Sequence, residues 1–266
     1  MTGIDNKILQ YLDDVICEWM TNLDNIIPPL IADMKTSTKK NRFDLVTNVD
    51  KQIQNQFETF LNEHFPTHHL LGEEKNNQFI HEDIEHLWIM DPIDGTANLV
   101  KQQEDYCIIL AYFVNGEPLL SYIYDYPRGV LYKAIKGQGA FANGQPLLEP
   151  KSLALQDAIV SFNAQVINIE TVQMLLASSF SYRLIGACGL DSIRVIKGQF
   201  GAHVNTNPKP WDIAAQFLFA EELGLKMTNL TGQPINHLQA GPFIISNPSC
   251  HQEVLDILNS HGGYQK

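Results

Sequence analysis

The chain has 266 residues, with 18 Lys plus Arg against 30 Asp plus Glu and a formal net charge of −12. At about 100–200 residues per domain this allows one large domain or two modest ones, and a 44% apolar content suits an ordinary globular protein with a sizeable core. The acidic balance argues against a general nucleic-acid or anionic-membrane binder, which needs clustered Lys and Arg, but leaves room for a small anionic ligand held through bound cations.

Along the chain, Ile8, Leu12, Val15, Ile16, Trp19 and Leu23 recur at three and four, predicting a helix between Ile4 and Met34 that Pro28-Pro29 breaks or restarts. The polar stretch Lys35–Arg42 reads as an exposed loop. Phe43–Val46 then leads into a second helix whose buried side is Val49, Ile53, Phe57, Phe60 and Leu61, with Thr47-x-x-Asp50 as a capping box at its start. Strands are expected at Leu87–Met90, Cys107–Val114, Pro118–Tyr124 and Val130–Ile135, and Asn115-Gly116 and Asn143-Gly144 are hairpin dipeptides that make this region antiparallel. Tyr122, Tyr124 and Tyr126 alternate, so they share one sheet face, read as core or subunit interface. From Lys151 onward the pattern alternates: strand Ala158–Phe162, helix Ile169–Ala177, strand Tyr182–Ile185, helix Leu190–Lys197, helix Ile213–Leu223 stopping at Gly224, strand Pro242–Ser246 and helix Gln252–Asn259. A seam near Glu149-Pro150-Lys151 divides an α+β part, residues 1–150, from an alternating α/β part, residues 151–266.

Cys17, Cys107, Cys188 and Cys250 are widely spaced and form no C-x-x-C pair, which points to a reducing compartment. The start, MTGIDNKILQYLDD, has no basic region followed by an apolar one. The longest apolar candidate, Cys107–Val114, falls far short of the roughly 18 residues a membrane span needs. A cytoplasmic protein with no membrane or nucleic-acid partner is the expectation.

The chemistry concentrates in Trp88-Ile89-Met90-Asp91-Pro92-Ile93-Asp94-Gly95-Thr96. A buried strand is expected to end at Asp91, because Pro92 has no N–H and disfavours a helical residue before it. Asp91 and Asp94 are three apart across a tight turn and can face one point, while Gly95-Thr96 opens a short helix whose free N–H groups favour phosphate. Carboxylates and carbonyl oxygens are what a hard divalent cation wants, and Mg2+ takes one or two of them beside water and phosphate oxygens. Taken singly, each acid also has a plain reading: Asp94 as a helix cap, Asp91 as a turn residue, Gly72-Glu73-Glu74 as a solvated pair, Asp50 as a capping-box residue and Asp212 as a helix starter.

Taken together, Asp44-Leu-Val-Thr-x-x-Asp50, Gly72-Glu73-Glu74, Asp91-Pro-Ile-Asp94-Gly95-Thr96-x-Asn98 and Pro210-Trp211-Asp212-x-Ala214-Ala215 resemble the inositol monophosphatase family in order and spacing, across essentially the whole chain. Gly137-x-Gly-Ala-Phe-x-Asn143-Gly144 adds a weaker likeness. The resemblance implies a layered α/β/α/β/α sandwich and a Mg2+-dependent, lithium-sensitive phosphatase acting on small phosphate monoesters, and it also implies a homodimer. By position, Glu73, Asp91 and the Ile93 carbonyl would hold one Mg2+, and Asp91, Asp94 and Asp212 a second. Glu73 with waters would complete a looser third site. Asp50, Thr96 and Glu73 would orient an attacking water, Lys39 would sit in a mobile loop nearby, and Gly95 and Thr96 would offer N–H groups to phosphate. Gly186-Ala187-Cys188 matches the family's substrate-contacting loop, with a helix-entry turn as its alternative role.

Two positions depart from the family pattern. Asn205 stands where inositol-phosphate enzymes carry an acid that contacts sugar hydroxyls, and an amide loses charge-assisted acceptance there. Leu99 replaces a usual aromatic. The resemblance extends to relatives acting on NADP, fructose bisphosphate and adenosine bisphosphate nucleotides. A neutral Asn205 with the polar loop Lys35–Arg42 is compatible with a larger leaving group such as a nucleotide ribose, so inositol monophosphate and NADP are both expected substrates; a non-catalytic binding module is the competing class. Other signals are set aside. Gly137-x-Gly-Ala-Phe-Ala142 mimics a dinucleotide fingerprint but is better read as a hairpin, and His64, His68 and His69 read as loop histidines. Cys188 reads as the only cysteine near the proposed site.

Overall fold

A computed structural model describes residues 6–39, 45–75, 77 and 83–265. Asp44 of the first motif, Phe43 and the end of the expected loop at Lys40–Arg42 lie outside the described residues.

The order is α1 (Asn6–Ala32), β1 (Thr36–Thr38), β2 (Leu45–Thr47), α2 (Asn48–His64), β3 (His69–Gly72), β4 (His86–Asp94), α3 (Thr96–Gln102), β5 (Cys107–Val114), β6 (Glu117–Asp125), β7 (Val130–Ile135), β8 (Gly139–Ala142) and β9 (Gln145–Pro146). It continues with β10 (Ile159–Phe162), α4 (Ile169–Ser178), β11 (Ser181–Tyr182), α5 (Cys188–Ile196), β12 (Ala202–Asn205), α6 (Pro210–Ile213), α7 (Gln216–Glu222), β13 (Lys226–Asn229), β14 (Phe243–Ser246) and α8 (Pro248–Asn259). Strands β3 to β9 form a seven-stranded sheet in chain order, β1 and β2 a small ribbon, and the second large sheet has the order β11-β10-β12-β14-β13.

Strand alternation decides what each sheet face meets. In the first sheet Trp88, Met90, Ile108, Leu110 and Tyr122 turn toward α1 and α2, packing on Ile16, Leu23, Ile53 and Phe57. The opposite side chains, Leu87, Ile89, Ile109, Ala111 and Ile123, share a core with Leu190 and Ile193 of α5, Leu218 of α7, and Phe243 and Ile245 of β14. Ile244 turns the other way and joins Val160, Val204, Leu175 of α4 and Leu258 of α8. The result is helices, sheet, helices, sheet, helices: the expected α/β/α/β/α sandwich.

Several local expectations need correction. Helix α1 runs through Pro28 and Pro29 without a break. Each proline removes a donor, but Ile27 stays buried and Ile26, Leu30 and Ile31 keep packing on the same core, so tertiary contact outweighs the local cost. The polar loop after α1 contributes Thr36–Thr38 to the β1–β2 ribbon. The strand expected at Tyr182–Ile185 shortens to Ser181–Tyr182, α5 begins at Cys188, and the helix expected over Ile213–Leu223 divides into α6 and α7. Strands β12 and β13 carried no clear sequence signal.

The tyrosines settle on the core side: Tyr122 Oη donates to Asp13 Oδ1 at 3.0 Å and Tyr124 Oη to Asp24 Oδ1 at 3.1 Å, both on α1. The glycine-rich Gly137–Ala142 segment enters the β8–β9 hairpin and opens no helix. His68 is half-buried in an aromatic stack with Phe65, His86 and Tyr112 and accepts from Trp88 Nε1 at 3.0 Å. Burial and the neighbouring histidines pull its pKa down to about 4.

Candidate active site

Strand β4 does not end at Asp91. Its pairing with β5 continues from Asp91↔Ile109 to Asp94↔Cys107, with a register shift between them where Pro92 has no N–H to give. This bulge re-aims both acids, as bulges beside functional sites do. Ile93 N donates to Asp91 Oδ1 at 3.0 Å, which locks the turn. Gly95, at φ 91°, then reverses the chain into α3, a left-handed conformation that glycine adopts without strain.

Asp50 serves both readings at once. Its Oδ2 accepts from Thr47 N at 2.9 Å and from the Thr47 hydroxyl, which completes the capping box of α2. Its Oδ1 lies 2.9 Å from Thr96 Oγ1, and that hydroxyl is also 3.0 Å from the Ile93 carbonyl. A helix cap thereby reaches the start of α3 across 46 residues of sequence.

Glu73 and Glu74 follow β3, and they are not a solvated pair. The Glu74 side chain is only 6% exposed, and Lys39 Nζ pairs with it and lies 2.7 Å from Glu73 Oε1. Burial pulls the Lys39 ammonium down, but its hydrogen bonds and charge contacts with both glutamates outweigh burial and hold it above its ordinary value. Asp212 stands in the first turn of α6, where its Oδ2 accepts from Lys209 N at 2.7 Å.

These acids feel one another. Burial, then the charges of Glu73, Asp94, Asp212 and Asp50, push Asp91 well above the usual carboxylate range. Burial pushes Asp94 up to about 6 against the opposing hydrogen bonds of Gly189 and Cys107. Asp212 rises to about 7 through burial and the charge of Asp94, while a side-chain hydrogen bond with Asp91 pulls the other way. Among the described residues no Lys or Arg makes an ion pair with Asp91, Asp94 or Asp212 within 4.0 Å. Buried carboxylates without a protein counter-charge, beside the Ile93 carbonyl, are an all-oxygen donor set of the kind that fits a hard divalent cation.

The second half of the chain closes the other side. Asp94 Oδ1 accepts from Cys188 N at 3.0 Å, and Oδ2 accepts from Gly189 N at 2.6 Å and Cys107 Sγ at 3.3 Å. Cys188 is therefore not the only cysteine at this place. Cys107 reaches it through the β4–β5 register, which single-sequence spacing does not reveal. Asp191, buried in α5, accepts from Ile185 N and Gly186 N, both at 3.1 Å, and from Ser161 Oγ at 2.6 Å. Ala187 is the N-cap residue of α5, so Gly186-Ala187-Cys188 is a helix-entry turn in addition to any other role. Asn205, at the end of β12, accepts from Asn207 N at 3.1 Å and hydrogen-bonds the Cys188 side chain.

A five-layer sandwich that brings buried acids of β4, α2 and α6 together beside the first turn of a short helix defines the class: a phosphoric monoester hydrolase that works with metal ions. The pattern of the inositol monophosphatase family matches residues 9–262, and the chain belongs to that family. Inositol-1-monophosphatase of Bacillus subtilis (strain 168) is 32% identical over 252 residues, which is 92% of this chain and 95% of that protein. A crystal structure of a dual specific IMPase/NADP phosphatase bound with D-inositol-1-phosphate is 67% identical and covers 97% of this chain and 99% of its own, with a TM-score of 0.94. An IMPase/NADP phosphatase complexed with Mg2+ and phosphate is 69% identical over 97% and 99% of the two chains, with a TM-score of 0.96.

Proposed function

We propose that the enzyme hydrolyses both inositol monophosphate and NADP, at a site that takes two or three Mg2+ ions. The observation that carries this reading is the buried set Asp91, Asp94 and Asp212, pushed up in pKa by burial and by neighbouring carboxylates, with Glu73 and Asp50 at its edge. Glu73, Asp91 and the Ile93 carbonyl form one ligand group, and Asp91, Asp94 and Asp212 form the other. Once bound, Mg2+ supplies charge neutralisation for the phosphoryl group and lowers the pKa of water. Asp50 keeps the Thr96 hydroxyl directed at its carboxylate, which leaves a Thr96 lone pair to accept from the attacking water, while Glu73 orients that water from the other side. As first-turn amides, Gly95 N and Thr96 N have no intrahelical acceptor and suit the phosphate oxygens. Gly186, Ala187, Cys188 and Asn205 line the side where the alcohol sits. Asn205 brings an amide in place of a carboxylate, which fits a tolerance for ribose as well as inositol.

The division at 1–150 and 151–266, a cytoplasmic location and a homodimer belong to the same proposal. No described helix is long and apolar enough to cross a membrane. Phe180, 74% exposed, and Leu184, 42% exposed, flank the edge strand β11 and suit a subunit contact.

The test is phosphate release from inositol 1-phosphate, NADP, fructose 1,6-bisphosphate and adenosine 3′,5′-bisphosphate, with and without Mg2+ and with added Li+. Magnesium-dependent, lithium-inhibited release from the first two is expected. No release from any of them by folded, metal-loaded protein would reject the assignment.

A further inference from the structure

Asn98 stands two residues after Thr96 in the first turn of α3. Its Nδ2 donates both of its protons to backbone carbonyls: to Asp105 at 2.8 Å, in the loop after α3, and to Ile185 at 3.1 Å, 87 residues away in sequence. A Cβ placed on Gly186 would lie 3.7 Å from the same Nδ2, so the amide sits against that residue. A Cβ on Gly95 would meet Ala187 Cβ at 3.0 Å, so the 185–188 segment abuts the turn that opens α3.

The segment's other polar groups go elsewhere. Asp191 takes the N–H groups of Ile185 and Gly186, and Asp94 takes those of Cys188 and Gly189. Asn98 is the side chain that takes its carbonyl. Asp105 is itself anchored, with Arg128 Nη2 2.6 Å from Asp105 Oδ1 and Arg128 Nη1 3.2 Å from Asp125 Oδ2. Removing the Asn98 amide would leave the Ile185 carbonyl without its tie to α3, while Asp105 keeps Arg128 and Ile185 N keeps Asp191.

We infer that Asn98 is a positioning residue that fastens the 185–188 wall to the Asp94–Thr96 turn and so sets how tightly the alcohol part of the phosphate ester is held. This rests on the phosphatase reading above. It assigns Asn98 no contact with metal or with the phosphoryl group.

The experiment compares wild type with Asn98→Ala, and with Asn98→Leu, which keeps the volume without the donors and serves if the shorter side chain does not fold. KM for inositol 1-phosphate and for NADP is expected to rise about tenfold, the size that follows loss of a half-buried donor shared by two carbonyls. kcat stays within about threefold, as for an interaction made equally in ground and transition states. KM for para-nitrophenyl phosphate, whose leaving group has no hydroxyls, and the midpoint of a Mg2+ titration stay unchanged. Hydrogen exchange at the Ile185 and Gly186 amides accelerates, while the Cys188 and Gly189 amides, bonded to Asp94, keep their protection. An equal fall in kcat on all three substrates, a shifted Mg2+ midpoint, or unchanged exchange at the Ile185 and Gly186 amides would overturn the inference. If wild type releases phosphate from none of the substrates, the functional reading fails on its own and the exchange measurement still decides the role of Asn98.

Discussion

Asp91 shows why single residues at this site trade stability against chemistry. Burial and the neighbouring like charges disfavour its ionised form in the metal-free fold. In Asn98's neighbour turn the replacement Asp91→Asn keeps the acceptor for Ile93 N and gives Asp212 a neutral donor, so the fold survives. Metal-dependent phosphate release is expected to fall by at least about a hundredfold, the scale of losing one preorganised electrostatic contact. The metal-free variant should melt above the metal-free wild type near neutral pH, because Asn is neutral without the proton that Asp91 must take up on folding. A thermal melt and a phosphate assay on the same preparation decide it, and wild-type turnover would remove Asp91 from the site. Gly72 makes a second case. A Cβ there would press on the Gln54 amide, with Cδ only 2.6 Å away, and that amide accepts from Glu74 N at 2.8 Å. Gly72→Ala should displace Gln54, loosen the Glu73–Glu74 turn and raise the Mg2+ concentration for half-maximal rate several-fold, with little change in rate at saturation.

At the scale of elements, α1 is tied to the first sheet by more than its apolar face. Asp13, fully buried, pairs with Lys133 of β7 and accepts from Tyr122 of β6. Removing one partner of such a pair strands the other in a poor solvent, at a cost of about 3–5 kcal/mol. Asp13→Ala should therefore lower the urea midpoint with an unchanged slope and leave kcat alone, since α1 carries none of the expected ligands. A loss of activity without a loss of stability would contradict this. This pairing had no trace in the sequence, because it joins residues 120 apart through a sheet register. What was legible was local or periodic: the α2 capping box at Thr47 and Asp50, the β5–β6 hairpin at Asn115-Gly116, and the acids of four short motifs. What was not legible depended on contact between distant elements. Helix α1 passes its prolines because the core holds it, β4 runs past Pro92 because β5 pairs with Asp94, and Cys107 enters the site through that same register.

For the whole molecule, the site couples pH and metal to stability. Asp94 titrates near 6 and Asp212 near 7 in the fold, against an ordinary carboxylate value of 3.8. Between those limits the folded state binds more protons than the unfolded state, so the stability of the metal-free protein falls as pH rises through about 4 to 7. Mg2+ reverses the sign of that field, and it binds the carboxylates in their ionised form, so protons compete with it at the acid end. At a hundred times its dissociation constant a ligand adds about 2.7 kcal/mol, roughly 5–10 °C in melting temperature for a chain somewhat below this size. The expected result is a large Mg2+-induced rise in melting temperature at pH 8 and a small one at pH 5. Taking the difference between loaded and metal-free protein cancels groups that titrate elsewhere, such as His68 in its aromatic stack. An Mg2+-induced rise of equal size at both pH values would mean that metal and protons do not compete for Asp94 and Asp212, and the two-part ligand set would have to be drawn from other residues.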